Sequence, residues 1–153
     1  MRALEHRIPP PLLMLLIAAV MALALRSEAP AFLAMGWRWG LAGLFFIAAG
    51  VFAFPAITAF GKAGTTIDPV QVDRASTLVT TGIYGVTRNP MYVALSLLLC
   101  AWAAWLAQPP ALIGPIAYAL FITRFQIIPE ERVLTAKFGQ AYTDYRQSVR
   151  RWL

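Results

Sequence analysis

Two short blocks hold the side chains best suited to chemistry. The first is Arg88-Asn89-Pro90-Met91-Tyr92, which places a guanidinium, an amide and a phenol close together. The second is Pro129-Glu130-Glu131, a pair of adjacent carboxylates behind a proline. Together they suit recognition of a charged small molecule. They do not suit a facing acid–base pair, because adjacent residues on a helix point about 100° apart. Each block also has a plainer reading. Arg88 and Tyr92 are good interfacial anchors, one for headgroups and one for the aromatic belt. Glu130 and Glu131 suit a solvated helix start, where the helix dipole favours negative charge. Several chemistries are excluded. His6 is the lone histidine and Cys100 the lone cysteine. That rules out a His/Cys metal cluster, a Ser-His-Asp triad and a disulfide framework.

The elements that must carry these blocks are set by composition. The chain has 153 residues, of which 59% are apolar and 13% charged. Ordinary soluble domains are about 45–50% apolar and about 25% charged. A chain this small cannot hide the excess, so the composition implies an integral membrane protein. Apolar stretches run from Ile8 to Leu25, about Gly40 to Phe60, Met91 to Ala107 and Ala111 to Ile128. Roughly 20 residues cross a bilayer as a helix. Gln108-Pro109-Pro110 joins the last two stretches and permits a tight antiparallel hairpin. With both termini cytoplasmic, 11 basic residues lie inside and only Arg26 and Arg38 outside. This asymmetry predicts four spans with that orientation. It also accounts for the net charge of +6. Anionic lipid headgroups are the expected partner of that charge, since no nucleic-acid motif accompanies it. Ala22-Leu23-Ala24 resembles a signal-peptidase site, but a retained first span fits the charge count better. Cys100 reads as a small core residue. Arg38 inside Gly36-Trp37-Arg38-Trp39-Gly40 argues against a helix-dimer face there.

Two polar regions remain. The loop from Gly61 to Pro90 is long and punctuated by glycine and proline, and Thr77 to Thr80 can be extended. Unpaired backbone groups there are available to a polar ligand. In the tail, Leu134, Phe138, Tyr142, Tyr145, Val149 and Trp152 follow helical spacing. Gly139 is expected to divide the tail into two helices. The tail either lies on the inner leaflet or folds back to roof a pocket. The hairpin brings Tyr92 and Glu130 to one membrane level, a mixed polar and apolar setting that suits a small-molecule site.

Three blocks occur in order: Thr77-Leu78-Val79-Thr80-Thr81-Gly82-Ile83-Tyr84, then Arg88-Asn89-Pro90-Met91-Tyr92, then Glu130-Glu131 with Leu134, Phe138, Gly139, Tyr142 and Tyr145 behind it. This combination resembles the isoprenylcysteine carboxyl methyltransferase family, which is grouped with the phospholipid methyltransferases. The resemblance covers about Thr65 to Leu153, and the first two spans carry no motif. It implies an all-α polytopic membrane protein of about four transmembrane helices, with a cytoplasmic loop and C-terminal amphipathic helices roofing a cofactor pocket. It also implies one membrane domain over residues 1–153, with the first two spans in 1–60 and the methyltransferase core in 61–153. The implied cofactor is S-adenosyl-L-methionine. By matching position, Thr77, Leu78, Val79, Tyr84, Asn89, Pro90, Tyr92 and Glu130 are the cofactor-binding residues. Glu131 and Arg88 are the candidates for catalytic roles, Glu131 as a base if the acceptor is an amine. Two positions depart from the pattern: Asn89 stands where the family usually has histidine, and Gln126 where it has an arginine tied to the prenyl substrate. Asparagine still donates and accepts hydrogen bonds, whereas the second departure argues against an isoprenylcysteine acceptor. The expected activity is therefore methyl transfer to a small or lipophilic acceptor, without metal or nucleic acid, in a bacterial-type inner membrane. The competing expectations are a non-catalytic four-span partner or assembly subunit and, third, a small transporter. The transporter lacks support because the spans hold no mid-membrane ionisable group.

Overall fold

The computed structural model describes residue 5 and residues 7–25, 33–63 and 77–153, with backbone alone for 60–63. Residues 64–76 of the connecting loop lie outside the described residues, as do His6 and three arginines of the charge count, Arg2, Arg26 and Arg74. Among the described residues every regular element is helical. These are α1 (Pro10–Ala24), α2 (Met35–Ala63), α3 (Pro90–Leu106), α4 (Ile113–Ile122), α5 (Ile128–Phe138) and α6 (Gln140–Ser148). Short 3₁₀ turns cover Gly82–Gly85 and Pro109–Leu112.

Helix α3 is central. It packs along α2 on one side and against α1 and α4 on the other. Proline begins both α1 and α3, where a missing N–H leaves no orphan donor. At its other end α3 stops on Ala107, which adopts a left-handed conformation (φ 49°). The prolines of the next turn then start the return helix. The core between α1, α3 and α4 holds Leu13, Met21, Leu99, Tyr118 and Ile122. Gly114 lets α4 approach α1 closely, since a Cβ there would stand 2.2 Å from Met21 Sδ. Polar side chains tie these helices by their backbone carbonyls. Trp102 Nε1 donates to Ala18 O at 3.1 Å, Gln108 Nε2 to Leu25 O at 3.0 Å and Gln126 Nε2 to Ile8 O at 2.9 Å. Such bonds satisfy backbone acceptors where water is scarce. Arg38 fastens the start of α2 to the end of α3, donating from Nε to Trp105 O and stacking over the Trp105 ring.

Helix α2 turns a broad apolar face outward. Leu44, Phe46, Ile47, Val51 and Phe54 are all exposed, Phe54 by 73%. A water-soluble chain seldom tolerates such a patch, and a bilayer covers it at no cost. Two helical stretches, Met35–Ala59 and Pro109–Phe138, are long and apolar enough to cross a membrane. Helices α1 and α3, with 15 and 17 residues, are apolar but shorter. At 1.5 Å per residue they reach about 23 and about 26 Å, against a hydrocarbon core of about 30 Å.

Two expectations about the tail need correction. The expected helix start at Pro129 is not a separate one, because the helix of the fourth apolar stretch (Ala111 to Ile128) runs on through it. Helix α4 passes through a π turn (Thr123–Ile127) and continues as α5. The Ile128 N–H bonds five residues back to Thr123 O. Pro129 cannot donate to the ladder, and the wider turn beside it absorbs that loss. The helical stripe also ends early. Gly139 (φ 54°) separates α5 from α6 as expected. Val149, however, is extended (φ −125°, ψ 136°), so residues 149–153 form a strap rather than a final helical turn.

Candidate functional site

The site forms where the first turns of α3 and α5 meet. Tyr92, buried in the first turn of α3, donates its hydroxyl to Glu130 Oε1 at 2.5 Å. The hairpin sets this meeting, since α3 starts at Pro90 and α4, running back antiparallel to it, returns the chain to the same end at Pro129. Glu131, one residue on, turns away as helix geometry requires. It meets Arg88 Nη1 at 3.0 Å, and Arg151 grips both its oxygens, Nε at 2.9 Å and Nη2 at 2.7 Å. The adjacent carboxylates therefore serve two separate neighbourhoods.

Tyr84, in the 3₁₀ turn, is buried. Burial, then Tyr145 and Glu130, push its phenol well above the ordinary tyrosine range. Tyr145 is raised chiefly by burial. It therefore stays protonated and donates to Tyr84 O at 2.6 Å, pinning α6 over the turn. The bond to Glu131 is the main reason the Arg151 guanidinium is raised further, so it stays charged.

The strap closes the edge of this region. Arg88 N–H donates to Arg150 O at 3.0 Å, Asn89 Nδ2 to Arg151 O at 2.8 Å and Thr87 Oγ1 to the same carbonyl at 3.2 Å. Trp152 Nε1 donates to Thr123 Oγ1 at 3.2 Å, in the π turn. The chain end thus bridges the head of α3 to α5.

Thr77, Leu78 and Val79 form an irregular strip beside α2. With Thr80 to Ile83 they line an open cavity of about 500 Å³, whose other wall is Pro55, Thr58 and Ala59. Gly82 (φ 65°) makes the turn that carries this strip into the 3₁₀ segment. Of the residues singled out in the sequence, Tyr84, Tyr92 and Glu130 come together. Thr77, Leu78 and Val79 line the cavity against α2, whose lining includes none of Tyr84, Tyr92 and Glu130. Pro90 caps the start of α3, and Asn89 beside it spends its amide on the strap. Glu131 and Arg88 meet in the ion cluster. Three contributors escape sequence reasoning: Arg151, the strap backbone, and the α2 wall. Arg151 reads as one more headgroup cation, and no periodic signal marks an extended chain end. Pro55, an interruption within an apolar stretch, is the one hint of the wall.

The profile of the phospholipid methyltransferase family matches residues 37–141. Protein-S-isoprenylcysteine O-methyltransferases B and A of Arabidopsis thaliana are 32% and 31% identical to this chain over 97 residues. Those residues are 61% of this chain and 48% of each plant protein, so the match spans about half the length of these relatives. An uncharacterized protein of Haemophilus influenzae is 49% identical over 63 residues, 41% of this chain and all of that protein. No solved structure matches the chain. The family profile takes in both carboxylates, the head of α3 and the wall of α2, and on that match the chain belongs to the phospholipid methyltransferase family.

Proposed function

We propose that this chain is an integral membrane methyltransferase that uses S-adenosyl-L-methionine and acts on a small or lipophilic acceptor. Beyond family membership, the observation that carries this reading is the Tyr92–Glu130 hydrogen bond beside buried Tyr84. It holds a carboxyl group at the border of an apolar core, where a charged organic ligand needs one. The residues fit the cofactor's parts. Leu78, Val79 and Tyr84 offer apolar surface to an adenine. Glu130 offers acceptor oxygens to ribose hydroxyls or to an ammonium. Thr77 to Val79 offer backbone groups outside any helical ladder, and Asn89 and Pro90 shape the approach to Tyr92.

When bound, the cofactor supplies a methyl group already activated by its sulfonium. The protein's own work is then to position the partners and keep water out. Tyr92 orients Glu130, and Tyr145 fixes the turn that carries Tyr84. With a carboxylate acceptor, opposite charges cancel as the transition state forms, and a low-dielectric site favours that cancellation. An amine acceptor also needs a base. Two guanidinium groups already occupy Glu131, and a proton taken there would weaken an ion pair. We therefore assign Glu131 to holding the site together with Arg88 and Arg151, ahead of proton removal.

In the same reading, four helices span a bacterial-type inner membrane with both termini cytoplasmic, and α6 with the strap roofs the site. The exposed apolar face of α2 and the inside excess of basic residues support it. An apolar acceptor enters from the lipid between helices. The test is transfer of label from methyl-labelled S-adenosylmethionine into a lipid extract by the purified protein. Labelled lipid names the acceptor class. Absence of both transfer and cofactor binding returns the chain to a non-catalytic subunit.

A further inference from the structure

Arg124 and Arg132 share one carboxylate. Arg124 Nη1 stands 3.7 Å from Glu5 Oε1, and Arg132 Nη2 donates to Glu5 Oε2 at 2.8 Å. Both arginine side chains are about half exposed, whereas that of Glu5 is mostly covered. Their meeting needs the π turn. In an unbroken α-helix, residues eight apart point about 80° away from each other. The π turn Thr123–Ile127 adds about one residue to the winding between them and swings Arg132 back toward Arg124. Phe125 steadies the first cation, with the Arg124 guanidinium 5.4 Å from its ring centre. An apolar row leads to this pair along α4. Ile113, Ile116 and Leu120 are all exposed, and with Arg124 they are spaced by three, four and four. They share one outward face of the helix. Glu5 belongs to a short tether. Three residues on, Ile8 O accepts from Gln126 Nε2 at 2.9 Å, and the Ile8 side chain packs on the core that holds Leu13, Tyr92 and Ile127. Glu5 and Ile8 thus fasten the chain ahead of α1 to the α4–α5 junction.

We propose that the Arg124–Arg132 pair is a site for the phosphate of an anionic membrane phospholipid, and that Glu5 is its built-in competitor, so that lipid binding unlatches the chain ahead of α1. Two guanidinium groups that converge on the width of one carboxylate also match two oxygens of a phosphate. One negative charge against two positive ones leaves the trio attractive to a further anion. Exposed ion pairs hold weakly, and a lipid in the same leaflet competes at high local concentration. The row Ile113, Ile116 and Leu120 offers its acyl chains an apolar track, which a soluble anion does not use. The inference does not depend on the proposed methyl transfer and uses none of the residues assigned to it.

The test is calorimetry in an uncharged detergent with three probes: dihexanoyl phosphatidylglycerol, dihexanoyl phosphatidylcholine and inorganic phosphate. The first is an anionic lipid, the second carries the same phosphate with its charge cancelled, and the third has no acyl chains. The wild-type chain is expected to prefer phosphatidylglycerol to either comparator by about three- to tenfold, the range of a partly screened contact with two cations. Glu5→Gln should tighten phosphatidylglycerol binding by a similar factor, because the competing carboxylate is gone. Arg132→Gln should weaken it about as much, and Arg124→Gln is scored by the same criterion if that variant does not fold. Trypsin reads the latch. Cleavage after exposed Arg7 should speed up when phosphatidylglycerol is added to the wild type, and should already be fast in Glu5→Gln without lipid. Equal phosphatidylglycerol affinity in the wild type and the arginine variant overturns the site. A wild type that binds inorganic phosphate or phosphatidylcholine as tightly overturns the assignment to an anionic lipid. A Glu5→Gln chain that binds no more tightly, or cleavage that lipid leaves unchanged, overturns the competition.

Discussion

Replacing Tyr92 with phenylalanine removes one oxygen atom and keeps the ring in the core. The lost interaction is the 2.5 Å bond to Glu130. If that bond counts as neutral, its loss costs about 0.5–1.5 kcal/mol. A partly buried carboxyl deprived of its partner raises the cost to about 1–3 kcal/mol. Packing adds little, because the ring volume is unchanged. Glu130→Gln keeps the size and removes the charge. The double-mutant cycle over Tyr92→Phe and Glu130→Gln should give a coupling near 1 kcal/mol on unfolding in detergent, read from chemical denaturation. The same Tyr92→Phe chain should bind S-adenosylhomocysteine about two- to tenfold more weakly, since Glu130 loses its orientation. Single-mutant effects that add to within about 0.3 kcal/mol, with unchanged cofactor affinity, refute the reasoning. Tyr92 would then be an interfacial anchor that happens to touch the carboxylate.

Two further perturbations follow from the geometry. Arg151→Gln cuts the bidentate grip on Glu131. Because Arg151 is about one-third exposed, solvent screens part of the loss, and about 1–2 kcal/mol of stability should go. Thermal unfolding in detergent checks this, and protease nicking near the chain end should rise with it. Gly114→Ala drives a methyl into Met21 and should cost about 1–3 kcal/mol. The double variant with Met21→Ala should be less destabilised than the sum of the singles, as measured by the same unfolding assay.

Much of the site is legible because it depends on local rules. Prolines after Gln108 imply the hairpin, the hairpin implies that Tyr92 and Glu130 share a level, and the observed bond follows. Gly139 announces the break between α5 and α6 for the same kind of reason, a backbone angle that favours glycine. What escapes is decided by tertiary partners. Pro129 looks like a helix start, and only the π turn before it reveals a helix that continues. Val149 and Trp152 keep helical spacing, yet the strap leaves the helix because its carbonyls have donors waiting on Thr87, Arg88 and Asn89. The role of Arg151 is hidden for the same reason. A charge near a chain end looks solvated until its carboxylate partner, 20 residues away in sequence, is seen.

The central claim is that Glu130, held by Tyr92, anchors a charged nucleoside methyl donor. Titration of S-adenosylhomocysteine into the detergent-purified wild type and into Glu130→Ala tests it most directly. The account predicts saturable binding at one site per chain in the wild type and its loss in a variant that still inserts and folds. Equal affinities in the two proteins would contradict it.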